Sequence, residues 1–459
     1  MKPKIAFLVI GHRDYQYDLG IRFAKYTVKK LKENGMDIVF CNRSLNEIID
    51  AQNEAKKIVR EDIDGVIIFL GTWVECSTAM AAIRMIEHLP FLVWGFPMFV
   101  NKEGTKDQTG SFVAYATLKG SLDRVDYKYK GIIGKTDDEE VIGKVISFCK
   151  AAFTYKRLKE SRVGLFGYAS MSMYPGTFDH LLLRRYIGPE VIHFDTYQLI
   201  EEMKLISKRD CLEIIEKLKR EVEMSEFVEE SQLTKAIKMY KALMNIVKKF
   251  DLQAITVKCQ YELSKMFGMT ACIPLSLAAD KGVVSGCEGD IITLISMLIF
   301  SYVTDQPIYY GDVLDIECKK VLFSSCGIAP FSLATKKRKK YIRNFNELFN
   351  NISIEEDGKT SNDAFKGILS SITLKQGKMT FGRLAEGIGG SYKFVYGTGE
   401  GIETELRQGI MPAIDIIIDG SIEKFIDSLP SQHYALCYGD ISEEIEDLCR
   451  ILNVEVIRI

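Results

Sequence analysis

Residues 5–10 read Ile-Ala-Phe-Leu-Val-Ile, and Gly11-His12-Arg13-Asp14 follows them directly. A short apolar run that stops at a glycine and charged residues is typical of a buried strand ending in a turn. The run is too short for a signal peptide. Similar runs recur along the chain, with stretches of helical length between them: Asp37 to Cys41, Gly65 to Leu70 and Phe91 to Gly95. This alternation predicts a parallel sheet with helices on both faces over residues 1–160.

The same alternation restarts in the middle of the chain. Short apolar runs lie at Arg162 to Gly167, Glu190 to Phe194 and Gln253 to Val257. Long stretches with helical spacing lie at Leu205 to Glu221 and Ser231 to Phe250. The sequence therefore predicts a second α/β domain over residues 161–305.

After residue 305 the pattern changes to short apolar runs joined by glycine-containing turns, with little helix. These runs are Met379 to Glu386, Tyr392 to Tyr396, Ile414 to Asp419 and Tyr434 to Tyr438. They predict an antiparallel, β-rich and barrel-like C-terminal domain over residues 306–459. The expected fold class is α/β, with two doubly wound parallel-sheet domains of the Rossmann-like or flavodoxin-like kind before that β-rich domain.

The composition is that of an ordinary globular protein. Across 459 residues, 60 Lys and Arg oppose 62 Asp and Glu, so no basic excess points to nucleic acid. The longest later apolar stretch, Ile291 to Val303, is shorter than the roughly 20 residues that span a bilayer. The 11 cysteines form no C-x-x-C pair, which favours reduced thiols. We expect a cytoplasmic protein that binds neither nucleic acid nor membrane.

Two glycine-containing segments fail as nucleotide-binding motifs. Gly131 to Thr136 has only two residues between its glycines, whereas a phosphate-cradling loop needs four. Gly397 to Gly401 lies in the β-rich region and does not lead from a strand into a helix, so a bend or turn is the better interpretation.

Three remote polar residues form a candidate metal site. Glu288 precedes an apolar helix, Asp312 lies between two apolar runs, and His433 lies between Pro430 and a strand. Each alone has an ordinary explanation as a helix-end acid, a turn aspartate or a structural histidine. Together they offer two oxygens and one nitrogen to a hard divalent ion, with positions left for water and substrate. Their spacing does not establish that they meet.

Several segments resemble the superfamily of L-fucose isomerase and L-arabinose isomerase. Cys287-Glu288-Gly289-Asp290, the apolar helix after it, Thr304 to Pro307 and Gly311-Asp312 are similar to its metal-site region. As in the fucose branch, the two acids are 24 residues apart. Tyr168 to Met173 resembles the second domain of that branch, and Gln432-His433 resembles its C-terminal metal histidine. The resemblance covers nearly the whole chain.

The resemblance implies roles for individual residues. Glu288, Asp312 and His433 would bind the catalytic ion, which is Mn²⁺ or another divalent metal such as Mg²⁺ or Co²⁺. Glu288 and Asp312 are also the candidates for catalytic acid and base. Further residues would line the sugar pocket, the last three of them in a neighbouring subunit of a hexamer: Gln260, Met173, His12, Arg13 and Trp73. A core or interface aromatic is an alternative interpretation of the tryptophan.

The expected function is that of a metal-dependent aldose–ketose isomerase, an intramolecular oxidoreductase. Its substrate would be an open-chain pentose or deoxyhexose, converted through a cis-enediol. Phe323 to Cys326 stands where the arabinose branch carries a fourth metal histidine, which favours the fucose branch. Two alternatives stay open: a non-catalytic sugar-binding or regulatory relative, and another enediol reaction such as epimerisation.

Overall fold

The computed structural model of the chain describes residues 2–348 and 366–459. The chain forms two compact units. The first runs to Arg157 and includes Glu443–Asn453, and the second comprises Leu158–Ser442 with Val454–Ile459. The three domains with boundaries near residues 160 and 305 stay a prediction.

The strands and helices follow in chain order. The strands are β1 (Lys4–Ile10), β2 (Asp37–Leu45), β3 (Gly65–Leu70), β4 (Phe91–Gly95), β5 (Phe99–Val100), β6 (Lys106–Asp107), β7 (Lys130–Ile133), β8 (Arg162–Phe166), β9 (Glu190–Phe194), β10 (Glu223–Met224), β11 (Ala254–Val257), β12 (Val284–Cys287), β13 (Tyr309–Glu317), β14 (Lys320–Ser324), β15 (Tyr341–Asn344), β16 (Ile368–Ser371), β17 (Gly377–Glu386), β18 (Tyr392–Ile402), β19 (Ala413–Ile418), β20 (His433–Tyr438) and β21 (Glu455–Arg458). The helices are α1 (Tyr17–Glu33), α2 (Ile48–Ile58), α3 (Cys76–Ile86), α4 (Ser111–Arg124), α5 (Glu139–Glu160), α6 (His180–Tyr186), α7 (Thr196–Lys204), α8 (Leu212–Glu221), α9 (Glu230–Phe250), α10 (Cys272–Ala279), α11 (Ile291–Thr304), α12 (Ile422–Ser428) and α13 (Ser442–Leu452).

The first unit contains a parallel sheet in the order β2-β1-β3-β4-β7. Alternate residues of β1 pack into different apolar clusters, with Phe7 in one and Leu8 in the other. Both faces of the sheet are therefore covered, which explains why Ile5 to Ile10 is continuously apolar rather than alternating. The predicted parallel α/β organisation is confirmed.

The second unit begins with another parallel sheet, in the order β12-β11-β8-β9. The predicted helical stretch from Leu205 to Glu221 is confirmed only in part, because α7 ends before it and α8 begins at Leu212. The Ser207 hydroxyl donates to the Asp210 carboxylate at 2.7 Å and accepts from the Asp210 backbone N–H at 3.3 Å. This local pairing closes a turn and starts a new helix.

The C-terminal region is rich in antiparallel strands, as predicted. The pairings run β17-β20-β13-β14-β19-β18, and β18 also pairs with β17, so six strands form a closed hydrogen-bonded ring. Strand β21 joins it in parallel beside β18. A separate small sheet has the order β10-β15-β16.

The glycine run Gly397 to Gly401 is not a turn, contrary to the sequence interpretation. It lies inside β18, where neighbouring strands approach too closely for side chains. A Cβ atom on Gly399 would lie 2.4 Å from the carbonyl oxygen of Ile417, and one on Gly397 would lie 2.5 Å from the Phe381 ring. The glycines therefore permit close packing within the ring.

Among the described residues, no helix is both long and apolar enough to cross a lipid bilayer.

Candidate active site at the edge of the second sheet

The second parallel sheet presents polar side chains where its strands end. Glu288 follows β12 directly, and Gln260 and Tyr261 lie just beyond β11. Glu288 and Tyr261 have positive backbone φ angles, of 61° and 66°, as does Met171 beyond β8 at 47°. Such conformations are unfavourable for residues with side chains, and they concentrate at functional sites. This edge is also where open parallel sheets bind ligands.

The closed ring of strands supplies two further residues. Strands β13 and β20 are antiparallel, and Asp312 lies directly opposite His433 in their register. Directly opposed residues project from the same face of a sheet. Asp312 is therefore a strand residue rather than the turn residue of the alternative interpretation.

Glu288, Asp312 and His433 meet in the structure. The Nε2 atom of His433 lies 2.9 Å from Oδ1 of Asp312 and 3.3 Å from Oε2 of Glu288. His433 is 1% exposed and Glu288 is 7% exposed, so the contacts are shielded from water. The three residues that the sequence singled out form one cluster, in which Glu288 and His433 are buried and Asp312 is partly buried.

Asp290 holds the other side of the histidine ring. Its Oδ2 atom lies 2.8 Å from Nδ1 of His433, and its Oδ1 atom accepts the Thr293 backbone N–H at 2.8 Å, which caps α11. The buried Arg383 guanidinium donates to the same carboxylate at 3.0 Å and to the His433 carbonyl oxygen at 3.0 Å. Asp290 thus links a helix end, an arginine and the imidazole in one network.

These contacts shift two pKa values. Burial alone would lower the pKa of His433, but hydrogen bonds with Asp290, Asp312 and Glu288 raise it well above its ordinary value. Burial alone would raise the pKa of Asp290, but Arg383 and His433 outweigh burial and hold that pKa low. The groups around the His433 ring therefore favour its protonated form in this arrangement.

Gln260 belongs to the same cluster. Its Nε2 atom donates to Oε1 of Glu288 at 3.0 Å, and the Cys326 thiol lies 3.7 Å from the same oxygen. The other predicted pocket residue of this unit, Met173, contacts the Nε2 atom of Gln432 at 2.7 Å, next to His433. The structure therefore brings both predicted residues to the site.

Comparison with known proteins supplies the reaction class. No family model matches the chain. The chain is 22% identical over 406 residues to a sulfoquinovose isomerase of Alkalicoccus urumqiensis, with 86% of each protein covered. It is 19% identical over 458 residues to a sulfoquinovose isomerase of Priestia megaterium, with 98% of each covered. The chain is an aldose–ketose isomerase.

The remaining predicted site residues lie in the first unit of the isomerase. His12 and Trp73 follow β1 and β3, and the backbone N–H of His12 donates to the carbonyl oxygen of Trp73 at 3.1 Å. Their rings lie 6.2 Å apart, and Arg13 beside them is exposed. They form an aromatic and basic surface at the edge of the first sheet, and they are not part of the buried cluster of the second unit.

The sequence did not identify several residues that surround Glu288 and His433 in the structure: Asp290, Arg383, Tyr310 and Cys326. Asp290 was visible only as an ordinary helix-end acid. Arg383 had a usable signal, because a charged residue inside the apolar strand Met379 to Glu386 must either face water or be paired in the interior. Its partner could not be identified from the strand alone.

The chemistry of the cluster formed by Glu288, Asp312 and His433 suits a hard divalent cation. It combines two carboxylates with an imidazole whose second nitrogen is held by a buried carboxylate, the usual outer partner of a metal-bound histidine. The side chains contact one another directly as they stand. Over residues 2–348 and 366–459, no three His, Cys, Asp or Glu side chains are already spaced around a metal position.

Proposed function

We propose that the chain converts an open-chain aldose into the ketose through a cis-enediol, at the cluster of Glu288, Asp312 and His433, with a divalent cation as cofactor. The observation that carries the proposal is the approach of His433 Nε2 to both carboxylates, at 2.9 and 3.3 Å. Residues far apart in sequence supply the cluster, at the edge where parallel sheets bind ligands.

Glu288, Asp312 and His433 would hold the ion, which we propose to be Mn²⁺, with Mg²⁺ or Co²⁺ as substitutes. When bound, such an ion supplies Lewis-acid polarisation of the sugar oxygens. His433 would release its Nε2 proton and retain the proton on Nδ1, which donates to the Asp290 carboxylate and so fixes the tautomer and the direction of the ring. Gln260 would orient Glu288 through its 3.0 Å hydrogen bond.

The carboxylates would carry the proton transfer. One of them would take the proton from C2 of the aldose and return it to C1, while the other would take the hydroxyl proton from O2 and deliver it to O1. Glu288 and Asp312 are both candidates for either role. The Asp312 side chain is 14% exposed, so a proton held on a carboxylate of the cluster would be able to exchange with solvent between the two transfers.

A sulfonated aldose is the substrate that we propose to test first, ahead of a neutral pentose or deoxyhexose. The similar proteins are named for sulfoquinovose, which carries a negatively charged sulfonate. Lys258, two residues before Gln260, offers a buried cation near the site. Its ammonium group lies over the rings of Tyr168 and Tyr261 and pairs with the exposed carboxylate of Glu262. A sulfonate could pair with it in place of Glu262.

The test is ketose formation in D₂O with Mn²⁺, followed by NMR, from sulfoquinovose, L-fucose and L-arabinose. The proposal expects ketose from at least one of these aldoses, with deuterium at C1 because the transferred proton resides on an exchangeable carboxylate. Ketose without deuterium would indicate hydride transfer and contradict the cis-enediol. Lys258→Met should raise the KM for the sulfonated sugar much more than for a neutral one.

The resemblance to the fucose isomerase branch also supports a proposal about assembly. His12, Arg13 and Trp73 of one copy would complete the sugar pocket of a neighbouring copy in a hexamer. Light scattering tests the assembly, and Arg13→Ala tests the contact. A hexamer whose KM is unchanged by this substitution would contradict the contact but not the chemistry.

A further inference from the structure

Tyr310 carries a buried hydroxyl without a hydrogen-bond partner among the described residues. The side chain is 2% exposed, so water does not reach it in this arrangement. Buried hydroxyls almost always have a partner, because an unpaired one costs free energy of folding. An unused donor at this depth therefore indicates that an acceptor is missing from the present arrangement.

The position of Tyr310 places its side chain beside the cluster of Glu288, Asp312 and His433. Tyr310 and Asp312 lie two residues apart on β13, so their side chains project from the same face. The Tyr310 ring lies 4.9 Å from the His433 ring, measured between centroids. Oδ1 of Asp312 lies 2.9 Å from Nε2 of the same His433 ring, so the tyrosine ring and the carboxylate border one imidazole.

The three proposed ligands differ in their outer partners. His433 has Asp290 on its second nitrogen, and Glu288 has Gln260 on its second oxygen. Within residues 2–348 and 366–459, the carboxylate of Asp312 has no hydrogen-bond or ion-pair partner other than His433. Carboxylates that ligate metals are normally hydrogen-bonded by an outer group as well. Asp312 thus lacks an outer hydrogen-bond donor. Tyr310, its neighbour on the same strand face, has a hydroxyl donor without a partner among the described residues.

We propose that Tyr310 is a positioning residue that donates a hydrogen bond to the Asp312 carboxylate when a divalent cation, bound by Glu288, Asp312 and His433, replaces their direct contacts with one another. The inference rests on the proposed function, since it needs the cation. It adds that the cation-bound arrangement satisfies a group that the cation-free arrangement leaves unpaired. Cation binding and the packing of β13 are thereby coupled.

Tyr434 provides a matched control. Its hydroxyl is also buried and unpartnered among the described residues, and it lies on β20 next to His433 in sequence. Its ring packs against Phe323, Phe381 and Phe425, away from the carboxylates. Removing this hydroxyl deletes an unpaired group and leaves Glu288, Asp312 and His433 with the hydrogen bonds that they have in wild type.

The experiment measures thermal unfolding and Mn²⁺ affinity for wild type, Tyr310→Phe and Tyr434→Phe. Without metal, both variants should unfold about 2 °C higher than wild type, because each loses an unpaired buried hydroxyl. Mn²⁺ should bind Tyr310→Phe about tenfold more weakly, and Tyr434→Phe with wild-type affinity. The stabilisation by Mn²⁺ should therefore be smaller in Tyr310→Phe alone.

Each other outcome overturns a defined part of the account. Equal Mn²⁺ affinity in wild type and Tyr310→Phe overturns the role of Tyr310 and leaves the proposed function intact. A metal-free Tyr310→Phe that is less stable than wild type also overturns it, because the hydroxyl then has a partner without the ion. Failure of Mn²⁺ to bind wild type overturns the proposed function and this inference together.

Discussion

The two parallel sheets end in edges that carry similar residues in very different surroundings. At the first edge, Nδ1 of His12 lies 3.6 Å from the Asp14 carboxylate, and these side chains are 27% and 84% exposed. At the second edge, Nδ1 of His433 lies 2.8 Å from the Asp290 carboxylate, and both side chains are 1% exposed. Water screens the first pair, whereas the second belongs to a buried network with Arg383.

The contrast teaches what a sheet edge contributes to a site. The carboxyl ends of parallel strands bring loops together at both edges, so the fold alone makes both edges candidate ligand-binding sites. Only the second edge combines burial, converging carboxylates and left-handed backbone at Glu288. Those features alter the chemistry of its side chains, and the first edge remains a surface suited to contacts.

The largest expected effect is on catalysis. Glu288→Gln should lower kcat/KM at least about 1000-fold, since it removes a proposed metal ligand that is also a candidate base. Glu75→Gln is the matched control, because Glu75 follows the first sheet's β3 and is exposed. Steady-state kinetics on the best aldose measures both. A comparable loss of kcat/KM in the two variants would contradict the proposal that only the second edge is catalytic.

The next effect is on stability. Asp290→Asn should lower the free energy of unfolding by about 3 kcal/mol, because it leaves Arg383 buried without its counter-charge. Asp14→Asn at the exposed pair should change it by less than about 0.5 kcal/mol. Urea unfolding of the metal-free protein compares them. A small effect at Asp290 would mean that the network contributes little to folding.

The pH dependence of cation binding follows from the raised pKa of His433. Below that pKa the ion must displace the Nε2 proton, so the apparent Mn²⁺ affinity should rise about tenfold per pH unit and level off above it. The stability that protonated His433 gives to the metal-free protein is lost over the same rise in pH. Calorimetry in buffers of different ionisation enthalpy counts the released protons. An affinity independent of pH would exclude displacement.

The smallest effect concerns the first edge. Trp73→Ala should raise the KM for the sugar a few-fold, with kcat and Mn²⁺ affinity unchanged, if this edge only contributes contacts to bound substrate. The same kinetic assay and Mn²⁺ titration measure it. A fall in Mn²⁺ affinity would show that the first edge takes part in the chemistry, and the distinction between the edges would fail.

The sequence predicted the sheets well, because buried parallel strands such as Gly65 to Leu70 carry an unmistakable apolar run. It also identified Glu288, Asp312 and His433 as candidate site residues, but it did not show how they meet at the second edge. Asp312 and His433 come together through the pairing of β13 with β20, and long-range pairing leaves no local periodicity. The sequence did not identify Arg383 and Tyr310, because their roles depend on partners from other helices and strands.

The central claim is that Glu288, Asp312 and His433 share one divalent cation that the isomerisation needs. The most direct measurement treats the protein with a chelator, removes the chelator, and titrates Mn²⁺ while following ketose formation. The account predicts that the chelated protein is inactive and that activity returns in full at one Mn²⁺ per chain. Undiminished activity in protein shown to contain no divalent metal would contradict it.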